Sequence, residues 1–208
     1  MNTPTHILVA CALLTRRAAI NSHENPPLSQ NGSLANWRTH NRIVFAGALL
    51  PDISIYIFFV WSQLFTNADF QTIWGELYWT EPWQTFSAFS NSIPLMVVLA
   101  VAGWRFNKPL LLVIALAMLS HVALDLPFHA DDAHKHFWPI SHFRFHSPFS
   151  YWDNDHHSGW VSILELFILI IASTVLWRRF KTRWVRAAII IAPLLQLAGL
   201  LYFYLSSS

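Results

Sequence analysis

Eight of the eleven histidines and five of the seven aspartates in this chain fall between His121 and His157. Imidazole and carboxylate are the side chains that hold zinc, manganese or iron, and they are costly to bring near hydrocarbon unless something binds them. Most of the remaining chain consists of long apolar runs. The first expectation is therefore a metal site at a membrane face.

Within the cluster, His121 and Asp125 stand four apart near the end of an apolar run, so they share one helix face and can address one ion. Pro127 is expected to end that helix and release His129, Asp131, Asp132, His134 and His136 into a loop directly above it. The competing account is a solvated loop that is merely rich in histidine. It leaves unexplained the cost of His121 and Asp125 lying unpaired within an apolar run. His129 and His134 are the next candidate ligands, and Asp132 is the candidate general base.

Two further candidates come from far away in sequence. His6 opens the first apolar run. Asp52 interrupts the second at Leu50-Pro51-Asp52, where the proline breaks the backbone ladder and the carboxylate needs a partner. Counted along a straight span, Asp52 would lie near mid-membrane and deeper than Asp125. Either Pro51 shortens the helix beneath a water-filled crevice or the register differs. Glu165 is a third intramembrane carboxylate, for which a hydrogen bond to a neighbouring helix and a part in the site are equally open.

His142, Arg144 and His146 alternate with Phe143 and Phe145, as in an extended segment with one polar face. The guanidinium fork of Arg144 suits a phosphate or carboxylate, making it the candidate anion clamp. A salt bridge to one of the aspartates is the equal alternative. Asp153, Asp155, His156 and His157 precede the next apolar run and either cap its helix or complete a second metal site, with Asp155 the expected cap. His23 and His40 read as lone loop histidines without a role.

The elements that must position these groups are apolar runs at about 4–15, 43–65, 92–104, 109–127, 160–177 and 185–205. A full span takes about 20 residues, so 43–65 and 185–205 qualify, 109–127 and 160–177 nearly do, and 4–15 and 92–104 read as half-spans or tilted helices. Arg16, Arg17, Arg38 and Arg42 flank the first connection, Arg105 and Lys108 the third, and Arg178, Arg179, Lys181, Arg183 and Arg186 the fifth. The bias of basic residues toward the cytoplasm places these three connections inside, with six crossings and both termini outside. The polar loop 21–36 is then cytoplasmic. Segment 66–91, with Trp74, Tyr78, Trp79 and Trp83, is expected to lie at headgroup level, and the His/Asp-rich loop 128–159 faces away from the cytoplasm.

Composition agrees. The chain is 54% hydrophobic and only 12% charged, with eleven tryptophans, and its net charge of +2 gives no sign of a nucleic-acid partner. The lone Cys11 can form neither an internal disulfide nor a thiolate cluster. Leu8-Val9-Ala10-Cys11 looks like a lipoprotein cleavage box. However, the basic residues follow the apolar run instead of preceding it and the cysteine comes early, so the segment is expected to stay.

The order P-T-H-I-L, then L-L-P-D-I, then S-H-V-A-L-D-L-P followed by W-P-I-x-x-x-x-R-F resembles the YdjM-type inner-membrane proteins, grouped as LexA-regulated, membrane-bound, metal-dependent hydrolases. The resemblance implies that His6, Asp52, His121 and Asp125 are metal-site residues. It also implies an H-R-G-x-T-H-S-like motif before the third helix. The corresponding stretch here is Phe86 to Ser92, with Phe86 and Asn91 where histidines would stand. Asn91 still offers a carbonyl oxygen, Phe86 offers nothing, and the loop from His129 to His157 is a source of replacements. The segment from His129 to Asp153 is also similar to small membrane proteins labelled as cobalamin-biosynthesis CobQ. That amidotransferase chemistry needs a phosphate-binding loop and a cysteine nucleophile with a partner histidine. This chain has no G-x-x-x-x-G-K-[ST], and its one cysteine lies in an apolar run.

The expectation is thus one all-α membrane domain over residues 1–208, a bundle of five or six helices in the bacterial inner membrane with its His/Asp site on the extracytoplasmic side. The site would hold a divalent metal, zinc first and manganese or iron otherwise. It would hydrolyse a phosphoester or other ester of a lipid or small molecule near the headgroups, with membrane lipid as its surroundings and no nucleic acid. The alternative is a metal-binding or metal-transporting membrane protein without catalysis.

Overall fold

Helix α1 (Thr3–Leu14) begins with Pro4 in its first turn, where a missing N–H costs nothing. At 12 residues it rises about 18 Å, too little to cross a bilayer. The computed structural model describes residues 1–15 and 37–206, so Arg16, Arg17, His23 and the expected polar loop 21–36 lie outside the described residues. Helix α2 (Trp37–Leu49) passes through a 3₁₀ turn at Leu50–Asp52, centred on Pro51, into α3 (Ile53–Phe65). The short α4 (Phe70–Gly75), capped by Asp69 at Thr72 N (2.8 Å), and a 3₁₀ turn at Leu77–Trp79 lead to α5 (Glu81–Ser90) and α6 (Ile93–Arg105). Helix α7 (Pro109–Asp125) ends in a 3₁₀ turn over Leu126–Phe128, as Pro127 requires. The loop that follows leads to α8 (Ser158–Arg179) and α9 (Arg183–Ser206). No strand occurs among the described residues.

Among the described residues five stretches are long and apolar enough to cross a membrane: Arg38–Phe65, Glu81–Arg105, Pro109–Phe128, Ser158–Arg179 and Arg183–Leu201. Their large side chains, among them Val97, Val98, Phe167, Ile170, Leu194 and Leu195, are exposed as lipid-facing residues should be. The run 92–104 is not a half-span, because α5 precedes α6 almost without a break. The segment 66–91 accordingly divides. Its first part packs Trp74 and Tyr78 around the buried Phe58, with Trp61 and Trp83 alongside, while its last part belongs to a spanning stretch.

Helix α1 is the inner helix, packed against α2, α7, α8 and α9. Arg179 ties its far end by donating to the carbonyls of Cys11 (3.0 Å) and Thr15 (2.8 Å). His40, expected in a loop, lies buried in α2 and donates to Leu14 O at 2.9 Å. The basic residues Arg38, Arg105, Lys108, Arg178 and Arg179 sit at α2, α6, α7 and α8 termini that meet at one end of the bundle. From that end Asp52 is 14 residues up α2, Asp125 is 16 residues up α7 and Glu165 is 14 residues up α8, or about 20–24 Å in each case. Asp52 is therefore level with Asp125 and not deeper. The apolar run 43–65 misleads because α2 starts six residues before it.

Close approach sets the α2–α7 spacing. A Cβ on Gly47 would lie 2.8 Å from both Ala117 Cβ and Ile114 O, so only glycine lets these backbones meet as they do. The loop from His129 to His157 has almost no regular structure and is instead fastened to the helix ends. Ile93 N donates to His136 O (2.9 Å), Ser92 Oγ to Trp138 O, Ser147 Oγ to Pro127 O (2.6 Å) and Tyr151 N to Phe128 O (3.3 Å).

Candidate metal centre

Asp125 is the hub. Its carboxylate is 2% exposed, and every group around it is a nitrogen. The α-amino group of Met1 (2.8 Å), His6 Nε2 (2.9 Å) and His129 Nε2 (3.3 Å) surround Oδ1, while His121 Nε2 lies 3.2 Å from Oδ2. His121 Nε2 is also 3.4 Å from Asp52 Oδ1, and the His6 and His121 rings stack at 3.7 Å. Ligand atoms of His6, His121 and Asp125 all lie within 4.8 Å of one another, as do those of Asp125, His129 and His134. Five of the six residues expected as ligands from sequence thus fall in these two groups, which share Asp125, and Asp52 stands beside them against His121.

The second nitrogen of each ring decides which atom faces inward. His121 Nδ1 can only donate to the Ala48 carbonyl at 2.7 Å, so in the neutral ring the Nε2 lone pair points at the carboxylates. His129 Nδ1 donates to Asp132 Oδ2 (2.8 Å), and His134 Nδ1 pairs with Ser87 Oγ (3.0 Å). Outer acceptors of this kind orient metal-binding histidines. His6 differs, since its Nδ1 is buried with no partner.

Thr3 and Glu165 hold the first turn of α1 in place. Thr3 Oγ donates to Asp52 Oδ2 at 2.5 Å. Glu165, fully buried, accepts from Asn2 N (2.6 Å), Thr5 Oγ (2.8 Å), Asn2 Nδ2 (3.2 Å) and Gln196 Nε2 (3.1 Å). Its carboxylate therefore serves the backbone that carries His6. No residue of the two ligand groups bonds to it.

The other candidates fall around this core. Asp132 sits behind His129, its Oδ2 also accepting from Trp152 Nε1 (3.0 Å) and its Oδ1 buried without a partner. Burial raises the Asp132 carboxyl, but the adjoining His129 outweighs it and the net direction is down. Burial also pulls His129 down, yet Asp125 and Asp132 together hold it up at about 9. His134, buried beside His129 and His136, is pushed down to about 3 and stays neutral. Arg144 makes no salt bridge to an aspartate. It donates to Gln84 Oε1 (2.6 Å) and Ala133 O and lies 5.4 Å over the Trp79 ring. His136 and His146 donate to Asn91 O (3.2 Å) and Ala130 O (2.8 Å), and His142 is exposed.

Asp155 does not cap α8. His157, at φ 62°, turns the chain between a 3₁₀ turn (Asn154–His156) and the helix, which leaves Asp155 exposed. Asp153 caps the 3₁₀ turn instead, accepting from Asp155 N at 3.0 Å. His156 pairs with Asp153 (2.7 Å), so these residues form no second metal group among the described ones.

Reasoning from sequence missed Ser87, Thr3, Thr5, Asn2 and Gln196. For Ser87 a signal existed. Gln84, Ser87 and Asn91 recur at helical spacing along α5 and its C-cap, a buried polar face beside Trp83, Phe86 and Phe89.

Helices that span a membrane, enclosing a buried imidazole–carboxylate cluster, define a multi-pass membrane protein with a candidate metal centre. The family model for the YdjM inner membrane protein matches residues 1–205, and the chain belongs to that family. No curated protein and no solved structure matches it.

Proposed function

We propose that this protein is a membrane-bound metal-dependent hydrolase whose centre opens away from the cytoplasm and whose substrate is a phosphoester or other ester near the lipid headgroups. The observation that carries the reading is the convergence of His6, His121 and His129 on the buried Asp125 carboxylate, with Asp52 joining them through His121. The donor set fits zinc, manganese or iron, and the orphaned His6 Nδ1 and Asp132 Oδ1 mark a cluster whose polar atoms its own hydrogen bonds do not fully satisfy.

His6, Asp52, His121 and Asp125 would hold the ion. A bound divalent cation supplies a water of near-neutral pKa and polarises the scissile oxygen. The protein contributes the rest. Glu165 and Thr3 fix the first turn of α1, and Asp132 keeps His129 turned inward. Arg144 carries a positive charge held only by neutral acceptors, so it remains free to meet an anionic group. Asp52, Asp125 and Glu165 all stand at one level of the bundle, which supports a site over a conduit for ions.

Elemental analysis of detergent-purified protein tests the reading, beside His121→Ala/Asp125→Ala and an assay with a chromogenic phosphodiester and a carboxylic ester. Wild type should retain divalent metal and turn one substrate over slowly, and the variant should do neither. A wild type that retains metal but hydrolyses neither would leave the binding-protein account standing.

A further inference from the structure

We propose that the centre takes two divalent cations, bridged by Asp125. The proposal rests on the metal reading above and adds a second ion held by Asp125, His129 and His134. The first observation is that two ligand groups, each within 4.8 Å, share Asp125 and nothing else. One is built from α1 and α7, the other from the end of α7 and the loop. Both carboxylate oxygens face the groups, His121 beside Oδ2 (3.2 Å) and His6 and His129 together beside Oδ1 (2.9 and 3.3 Å), so Asp125 can serve both ions.

The second observation is independent of that proximity. His129 and His134 are 6% and 5% exposed, come from a loop with almost no regular structure, and still have their outer nitrogens individually anchored. Asp132 takes His129 Nδ1 (2.8 Å) and Ser87 takes His134 Nδ1 (3.0 Å), while the two ring centroids lie 5.1 Å apart. A histidine-rich loop that only covered the bundle would have no need to bury two imidazoles facing one carboxylate. Each outer nitrogen, moreover, is anchored by a different element, α5 in one case and the loop itself in the other. The pattern is that of metal-binding histidines oriented by outer acceptors. Asp132 also brings a third carboxylate to the pair, its Oδ1 still unpartnered, to set against the added positive charge.

Manganese(II) is the probe, because it gives both a stoichiometry and a spectrum. The full chain in detergent, stripped and re-equilibrated with manganese chloride, should bind two ions per chain and show the low-temperature electron paramagnetic resonance signal of a spin-coupled pair. His129→Ala/His134→Ala should bind one ion and show the six-line spectrum of isolated manganese(II), and His121→Ala should also lose the coupled signal. Asp132→Asn should weaken the second ion about 10–100-fold while leaving the first unchanged. If the double variant does not fold, as judged by gel filtration and circular dichroism, His134→Gln decides by the same readings. A wild type that saturates at one uncoupled ion, lost only on changing His121 or Asp125, overturns the second site and leaves the single-ion reading intact. A wild type that binds none overturns both.

Discussion

Replacing Glu165 tests how the inner helix is held. Four donors converge on its fully buried carboxylate. In Glu165→Ala, Asn2 Nδ2 keeps its 2.9 Å bond to Gln196 Oε1, so the side-chain pair between α1 and α9 partly survives. Asn2 N and Thr5 Oγ lose their acceptor inside the bundle. Each buried donor left unpaired costs about 1–3 kcal/mol, so the variant should lose about 2–6 kcal/mol. For a chain of this size that is on the order of 10 °C in melting temperature. Glu165→Gln keeps the shape and one acceptor oxygen and should lose about 1–2 kcal/mol. The assay is thermal unfolding in detergent followed by tryptophan fluorescence, together with a cycle against Thr5→Val. The two changes should couple, the double variant costing less than the sum. A shift below about 2 °C for Glu165→Ala, or strict additivity with Thr5→Val, would refute the reasoning.

Three further outcomes follow from the geometry. Gly47→Ala must separate α2 from α7, lengthen the His121–Ala48 bond and cost about 1–3 kcal/mol, whereas Gly199→Ala, with nothing near its added carbon, should be neutral or slightly stabilising; comparative melts check both. Cysteine at Ser141 in a Cys11→Ser background should label with an impermeant thiol reagent in intact cells and one at Asn107 should not, the reverse pattern moving the site to the cytoplasm. His156, raised above its ordinary value by Asp153, with Asp131 and Asp155 adding to it, should titrate lower by NMR in Asp153→Asn. The sign is fixed: the pair's stabilisation is present below the unfolded histidine value near 6.5 and is lost as pH rises through the higher folded one.

The helices and the ligand candidates were legible because both depend on residue type and spacing. Apolar runs of membrane length have few alternatives. An imidazole and a carboxylate four apart within such a run announce themselves by their cost, and His121 and Asp125 do this. What escaped was anything set by where a helix starts. Asp52 looked deep because the apolar run begins at Ile43, while Trp37-Arg38-Thr39-His40, outside that run, already forms the first turn of α2. Six residues of unrecognised helix amount to about 9 Å of depth, the whole of the apparent mismatch with Asp125.

The supporting hydrogen bonds were illegible for a different reason. His121 is oriented by a main-chain carbonyl, which every residue possesses, and it reaches Ala48 only because Gly47 lets α2 approach α7. No residue type marks such an acceptor. Glu165 shows the converse, a conspicuous side chain whose donors are a backbone N–H, a threonine and two amides, none unusual in sequence. The members of the cluster could therefore be read from sequence, but its orientation is a property of the packed backbones. The positions that fix it, Gly47, Ala48, Ser87 and Thr5, are ones at which small substitutions should shift the rings while every imidazole and carboxylate of the cluster stays in place.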